Sequence, residues 1–244
     1  MPLRTHLMPF ASIDPRNLRA HPGLWIDKMV AAEKPSSEVA SPHLKRIARP
    51  LIPEGYAQAF ALRESGLADL ADQGEAVLLD AEVTGRLVVG LGTKGVLELG
   101  LTLDHTWGLP YLPGSALKGL AAAAAHRFGG DGWKKPKGWP EAGPPQDFGA
   151  LTDYQVLFGT TGNAGVVVFH DAWWNPKGQP HVPLEMDVMT VHHRDYYQDD
   201  AERVSKTPTD FDEPVPVPFL SGAGTFVCAL QGPPAWVAAA ETCL

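Results

Sequence analysis

The chain reads as an α+β protein, and three features predict that class. The predicted elements run strand hairpin, helix, strands, helix, with no regular strand–helix–strand repeat that would build a parallel sheet. Pro and Gly are abundant, 23 and 25 in 244 residues, which enforces many turns. Hydrophobic residues at 44% and charged residues at 20% are ordinary for a globular domain, so a core that needs neither disulfide nor metal is expected. No internal repeat of fixed period is visible.

Residues 15–32 and 54–72 have helical character; the second follows Pro53 and sets Tyr56, Ala59, Phe60, Leu67 and Leu70 at near-helical spacing. Residues 1–75 are thus expected to form a helical extension packed on a core of 76–244. From Ala76 to Leu91 the pattern turns β-like, with Val77, Leu79, Ala81 and Val83 alternating before Leu87-Val88-Val89. Val96 to Leu101 predicts a second strand, and the Gly-rich turn between them makes a hairpin. After Pro113-Gly114-Ser115, Leu117, Leu120, Ala121, Ala124 and Phe128 share one apolar helical face, with Ser115 as the expected N-cap and Gly129 as a left-handed stop. Residues 130–150 form a Gly/Pro/Trp-rich insertion. Gly165 to Phe169 predicts a short apolar strand, Phe219 to Leu230 a further strand region, and a helix starts after Pro233-Pro234.

Charge and cysteine content narrow the function classes. A net charge of −8 argues against a protein that coats nucleic acid by bulk electrostatics. The distribution is uneven: residues 1–50 hold eight Lys/Arg against four Asp/Glu, and residues 185–213 hold nine Asp/Glu against three Lys/Arg. Any nucleic-acid contact must therefore use a local basic surface. Two cysteines, Cys228 and Cys243, are too few for a Cys-based zinc site and read as reduced thiols of a cytoplasmic protein. Neither an apolar run of about 18 residues nor an apolar leader segment occurs, so no membrane partner is expected.

Gly90-Leu-Gly92-Thr-Lys94-Gly95 matches the dinucleotide-binding pattern, but a strand is expected to follow where that motif needs a helix start. Met186 to Tyr197 gathers Asp187, His192, His193 and Asp195, the residue types of a hydrolytic metal site. Adjacent histidines point apart, and the spacing matches neither HExxH nor an EF-hand loop, so a hydrogen-bonded structural turn is the better reading. No Ser or Cys sits in a nucleophile context. The segment Gly114-Ser115-Ala-Leu-Lys118-Gly119 opens a helix whose amides and dipole attract phosphate, with a hydroxyl and an ammonium beside them. An ordinary capped helix with a surface lysine fits the same residues equally well. Lys134, Lys135 and Lys137, beside Trp133 and Trp139, could bind backbone and stack bases, or could be a solvated loop whose tryptophans pack on the body. The Trp173-Trp174 pair reads as core packing.

Several segments together resemble the RAMP superfamily of CRISPR-associated proteins, and within it subunit six of the type III-B (Cmr) effector complex. They are Gly85 to Gly92, Leu97 to Gly119 with its PxxPGSxLKG stretch, Leu157-Phe-Gly159, Gly165 to Ala172, Asp187-Val-Met-Thr-Val-His192 with Tyr196-Tyr197, and Pro214 to Leu220. The resemblance implies a ferredoxin-like (RRM-like) core without nuclease chemistry. It implies a subunit that caps the complex near the 3′ part of the guide RNA, against the repeating backbone subunit and another RAMP subunit. Partners are then guide RNA, target RNA and other Cmr-complex RAMP subunits, in antiviral defence. Expected RNA contacts are Gly114, Ser115, Lys118, Gly119, Lys94, Lys134 and Lys135; no catalytic residue, metal or cofactor is expected. A metal-dependent RAMP endoribonuclease using His192, His193, Asp187 and Asp195 is the alternative. The family usually carries an Arg soon after the LKG, where this chain continues Leu120-Ala-Ala, and usually ends in a glycine-rich loop and final strand. That loop does not appear by Leu244, so an open sheet edge is expected.

Overall fold

The computed structural model describes residues 21–30, 37–92, 97, 100–136, 151–177, 182–193 and 209–244. The first elements are α1 (Pro22–Lys28), α2 (Ser37–Ile47), α3 (Tyr56–Asp72), β1 (Ala76–Glu82), β2 (Tyr111–Leu112) and α4 (Gly114–Phe128), followed by a 3-10 turn (Asp131–Trp133). Then come α5 (Asp153–Phe158), β3 (Val168–Phe169), β4 (Ala172–Trp174), β5 (Leu184–Val191), β6 (Val215–Gly222), β7 (Thr225–Gln231) and α6 (Pro234–Thr242). Two units interleave along the chain: Met1–Pro53, Thr84–Pro110 and Pro180–Ala223 make the first, and Glu54–Val83, Tyr111–Gln179 and Gly224–Leu244 make the second. The sequence suggested one division at residue 75; instead α3 belongs with the second unit, while α1 and α2 belong with the first.

In the first unit β5 and β6 pair antiparallel from Leu184↔Gly222 to Val191↔Val215. Pro216 and Pro218 are tolerated in β6 because a two-stranded ribbon leaves one side of each strand without a ladder. Trp25, Leu44, Ile47, Leu97 and Leu220 form its core. Burying each such side chain stabilises by roughly 1.5–3 kcal/mol. Helix α2 was not anticipated, because Pro42 lies inside it. Burial of Ala40, Leu44 and Ile47 along one stripe outweighs the lost amide donor.

The second unit carries a sheet in the order β1-β7-β4-β2, with β3 also pairing β7. β7 is central and runs antiparallel to β1 from Ala76↔Gln231 to Glu82↔Thr225. Its residues Phe226 to Leu230 are all buried. Ala121 and Ala125 of α4, Leu157 and Phe158 of α5, Leu230 of β7, and Val237 and Ala240 of α6 share one core. Burial pushes the Cys228 thiol in β7 up to about 11, so it is inert, and both cysteines are free. Strand β1 lies at one end of the sheet order.

Several expectations are corrected. The strand expected to Leu91 ends at Glu82; beyond it Leu87 makes a single bridge to Gly222. Of the second hairpin strand, the described residues Leu97, Gly100 and Leu101 are not in a strand. Backbone bonds at the turn include Thr102 N–H to Val89 O at 2.8 Å and Gly100 N–H to Leu91 O at 3.3 Å. No helix follows the Gly90–Gly95 motif before Gly114 among the described residues, which removes the dinucleotide reading. The region 219–230 is two strands, because Gly224, at φ 93°, breaks the run. Asp187 to Val191 belongs to β5 rather than to a turn, since its whole length pairs with β6. Lys94, Lys137, Trp139, Asp195, Tyr196 and Tyr197 lie outside the described residues.

Helix α4 differs in its caps and its buried face. Its N-cap is Pro113 rather than Ser115, with no side-chain cap. Gly129 stops it in an extended conformation, not a left-handed one; a Cβ there would meet the Trp133 Cβ at 2.4 Å, so close packing is what requires glycine. The buried stripe is Gly114, Leu117, Ala121 and Ala125, while Leu120 and Phe128 are exposed. Small residues let α4 approach its neighbours closely, and the bulky ones fall to the flank.

Two glycines of α4 should therefore respond oppositely to alanine. A Cβ on Gly114 would lie 1.9 Å from the Phe169 carbonyl oxygen, and Gly119 has nothing within 4 Å. Urea unfolding should show Gly114→Ala destabilised by about 3 kcal/mol and Gly119→Ala stabilised by roughly 0.5–1 kcal/mol.

Candidate nucleic-acid interface on helix α4

The start of α4 is built by a chain crossing. The backbone of Phe169, at the end of β3, and of His170 after it passes so close to Gly114 that no side chain fits there. From that crossing Asp171 turns its carboxylate onto the helix, and the Gly114 N–H donates to Asp171 Oδ1 at 2.7 Å. The Ala116 and Leu117 amides both donate to Pro113 O, at 2.8 and 3.1 Å. Gly114 is buried, and the backbone it admits is the protein's own. The open set of helix amides expected from the sequence is therefore reduced, and an exposed carboxylate already sits on the positive end of the dipole.

What remains outward is the flank. Ser115 and Gly119 are exposed, and Lys118 is half-buried with no ion pair among the described residues. Arg63 of α3 donates to the Asp171 carbonyl and stacks its guanidinium 5.0 Å from the Trp173 ring centre. Burial lowers the Arg63 pKa from its ordinary value, and Asp171 pulls it back up. Sequence reading missed Asp171 and Arg63. Asp171 lay in view within Gly165 to Ala172, but its partner is 57 residues away.

The other end of α4, about 21 Å along the axis from Gly114, gathers Arg127, Lys134 and Lys135. Lys134 Nζ donates to His126 O at 3.0 Å, capping the helix, and the Lys135 N–H donates to His126 Nδ1 at 2.9 Å. Trp133 packs edge-on against Trp236 at 6.2 Å, so it serves the body rather than a base. The exposed ring is Phe128, 79% accessible, with the Arg127 guanidinium 5.3 Å from its centre. The helical pattern had assigned that ring to the core. Beside it lies an apolar cleft of about 310 Å³ lined by Ala124, Phe128, Trp133, Ala239 and Cys243.

Two of the residues of the metal reading, Asp187 and His193, are otherwise engaged. Asp187 accepts from the Val188 N–H at 2.8 Å and lies 3.4 Å from Arg86 Nε. His193 Nδ1 donates to Asp212 Oδ2 at 2.8 Å, and the His192 and His193 rings stand 6.3 Å apart. Among the described residues no three His, Cys, Asp or Glu come together as a metal cluster.

A profile of the RAMP superfamily matches residues 80–224. The chain belongs to the RAMP superfamily. It is 29% identical over 191 residues to the CRISPR system Cmr subunit Cmr6 of Pyrococcus furiosus, covering 63% of this chain and 56% of that protein. This RAMP chain thus spans just over half the length of the curated relative it matches. Its fold is similar to that of a chain in the cryo-EM structure of the Type III-B Cmr-beta bound to cognate target RNA. There the TM-score is 0.52 at 18% identity, over 82% of this chain and 64% of that one. The crystal structure of Cmr6 from Pyrococcus furiosus aligns at a TM-score of 0.37 and 26% identity, over 69% of this chain and 88% of that one. No helix among the described residues is long and apolar enough to cross a membrane.

The His193–Asp212 pair makes a pH prediction. Asp212 is held down to about 2, first by the hydrogen bond from His193 and then by the Thr209 hydroxyl and amide. Its folded value lies below the ordinary one, so its stabilising contribution is complete above about pH 4 and lost as pH falls through the folded midpoint. Carbon-detected NMR titration should place the Asp212 midpoint near 2 and show it rising toward the ordinary carboxylate range in His193→Ala.

Proposed function

We propose that this chain is a non-catalytic RNA-binding subunit of a type III-B CRISPR (Cmr) effector complex, acting in the cytoplasm in antiviral defence. It caps the 3′ region of the guide RNA and contacts the backbone RAMP subunits and target RNA. The observation that carries this reading is the 29% identity over 191 residues with the Cmr6 subunit of Pyrococcus furiosus.

The second unit supports a ferredoxin-like core. β1, α4, the β3–β4 pair, β7 and α6 follow the order β-α-β-β-α, and β7 lies antiparallel between β1 and the β3–β4 strands. RNA is held on the outer flank of α4 by Ser115, Lys118 and Gly119, and by Lys134 and Lys135 with Arg127 at its far end. Such contacts bind phosphate without reading base sequence. A chain with net charge −8 needs exactly this kind of local placement to hold RNA at all. The non-catalytic assignment is supported by the engagement of Asp187 with Arg86 and of His193 with Asp212.

Assembly with the other Cmr subunits and a guide RNA is the test. Lys118→Ala should weaken RNA retention several-fold and lower the salt dependence of binding by about 0.7 in log–log slope, with melting temperature unchanged within about 1 °C. Unchanged retention at high salt would contradict the contact. Specific products from repeat RNA with divalent metal, lost in His192→Ala, would contradict the non-catalytic assignment and favour the endoribonuclease.

A further inference from the structure

The first unit holds a second cationic surface, outside α4. A cleft of about 360 Å³ opens between the C-terminal turn of α2 and the start of β5, lined by Lys45, Ala48, Arg49, Arg86, Glu185 and Met186. Arg86 is held by Glu185 and, at 3.4 Å, by Asp187. Lys45 and Arg49 are exposed and have no ion pair among the described residues. A local excess of positive charge therefore persists in a chain of net charge −8.

The position of Arg49 is the informative feature. Lys45 sits in the last turn of α2, where a cation offsets the helix dipole whatever else it does. Arg49 lies beyond the helix and has φ 62°, the single positive φ of a non-glycine residue among those described. Glycine would adopt that conformation without strain, yet arginine occupies it. The strain is imposed by a tie: the Arg49 N–H donates to Leu184 O at 3.1 Å, fixing the chain onto the start of β5. A strained backbone held in place beside an open cleft is where a functional side chain is expected. A guanidinium presents a planar fork of donors suited to two oxygens of one phosphate, and an ammonium adds a point charge.

We propose that this cleft seats a backbone phosphate of single-stranded RNA, gripped by Arg49 with Lys45 beside it. The inference rests on the reading that the chain binds RNA, and adds a contact apart from α4. The full chain should be titrated with a fluorescein-labelled 15-nucleotide oligouridine by anisotropy, across a series of KCl concentrations.

Arg49→Gly should weaken binding about fivefold and reduce the salt slope by about 0.7, while its melting temperature stays equal or rises, since glycine relieves the strain. Lys45→Ala, on an exposed helix position, should reduce the slope by a similar amount. If both variants match the unsubstituted chain while Lys118→Ala binds more weakly, the cleft assignment is wrong and the α4 reading stands. If the unsubstituted chain binds no oligouridine at low salt, both fail together. If polyglutamate displaces the RNA at equal charge concentration, the cleft is an acidic-protein surface and the phosphate assignment is overturned.

Discussion

The passage of Phe169 and His170 across the start of α4 constrains the second unit more than any other contact. It requires glycine at position 114 and delivers Asp171 to the first helix amide. It also places β3 and β4, on either side of the crossing, against the central strand β7. The small side chains of Ala121 and Ala125 then let α4 settle into the core shared with α5 and α6. A carboxylate at a helix N-terminus satisfies the amide and the dipole together, at about 1 kcal/mol for a typical cap. The positive end of α4 is thus stabilised from within the fold.

That arrangement moves the chemistry of the helix outward. An incoming phosphate at Gly114 would meet both backbone and negative charge, whereas Ser115, Lys118 and Gly119 remain accessible on the flank. The chain carries a net charge of −8, so the proposed RNA contacts rest on cations grouped without an ion pair among the described residues: beside α4, and in the cleft of the first unit at Lys45 and Arg49. The acidic residues Glu185 and Asp187 hold Arg86 there, so that its charge is largely cancelled.

Elements with strong local signals were legible in the sequence. The apolar spacing after Pro53 marks α3, and the two prolines at 233 and 234 mark the start of α6, while the apolar stretch 219–230 marks strand without showing that Gly224 divides it between β6 and β7. Elements governed by distant partners were not. Pro42 hides α2, whose stability comes from the stripe it buries, and the charged neighbours of Asp187 obscure a strand that is defined by its eight partners in β6. The PGSALKG segment marked the start of α4, but the local pattern could not show that Asp171, 57 residues later, would take its first amide. Phe128 fits the helical apolar pattern and is nevertheless exposed, because the alanines beside it, not the larger side chains, set how closely α4 packs.

The account turns on which parts of the α4 start remain open to a ligand. Amide chemical-shift mapping of the full chain with oligouridine reads this directly. The amides of Ser115, Lys118 and Gly119 should shift on titration, and that of Gly114 should stay in place on Asp171. A large shift at Gly114, or none at the other three, would contradict it.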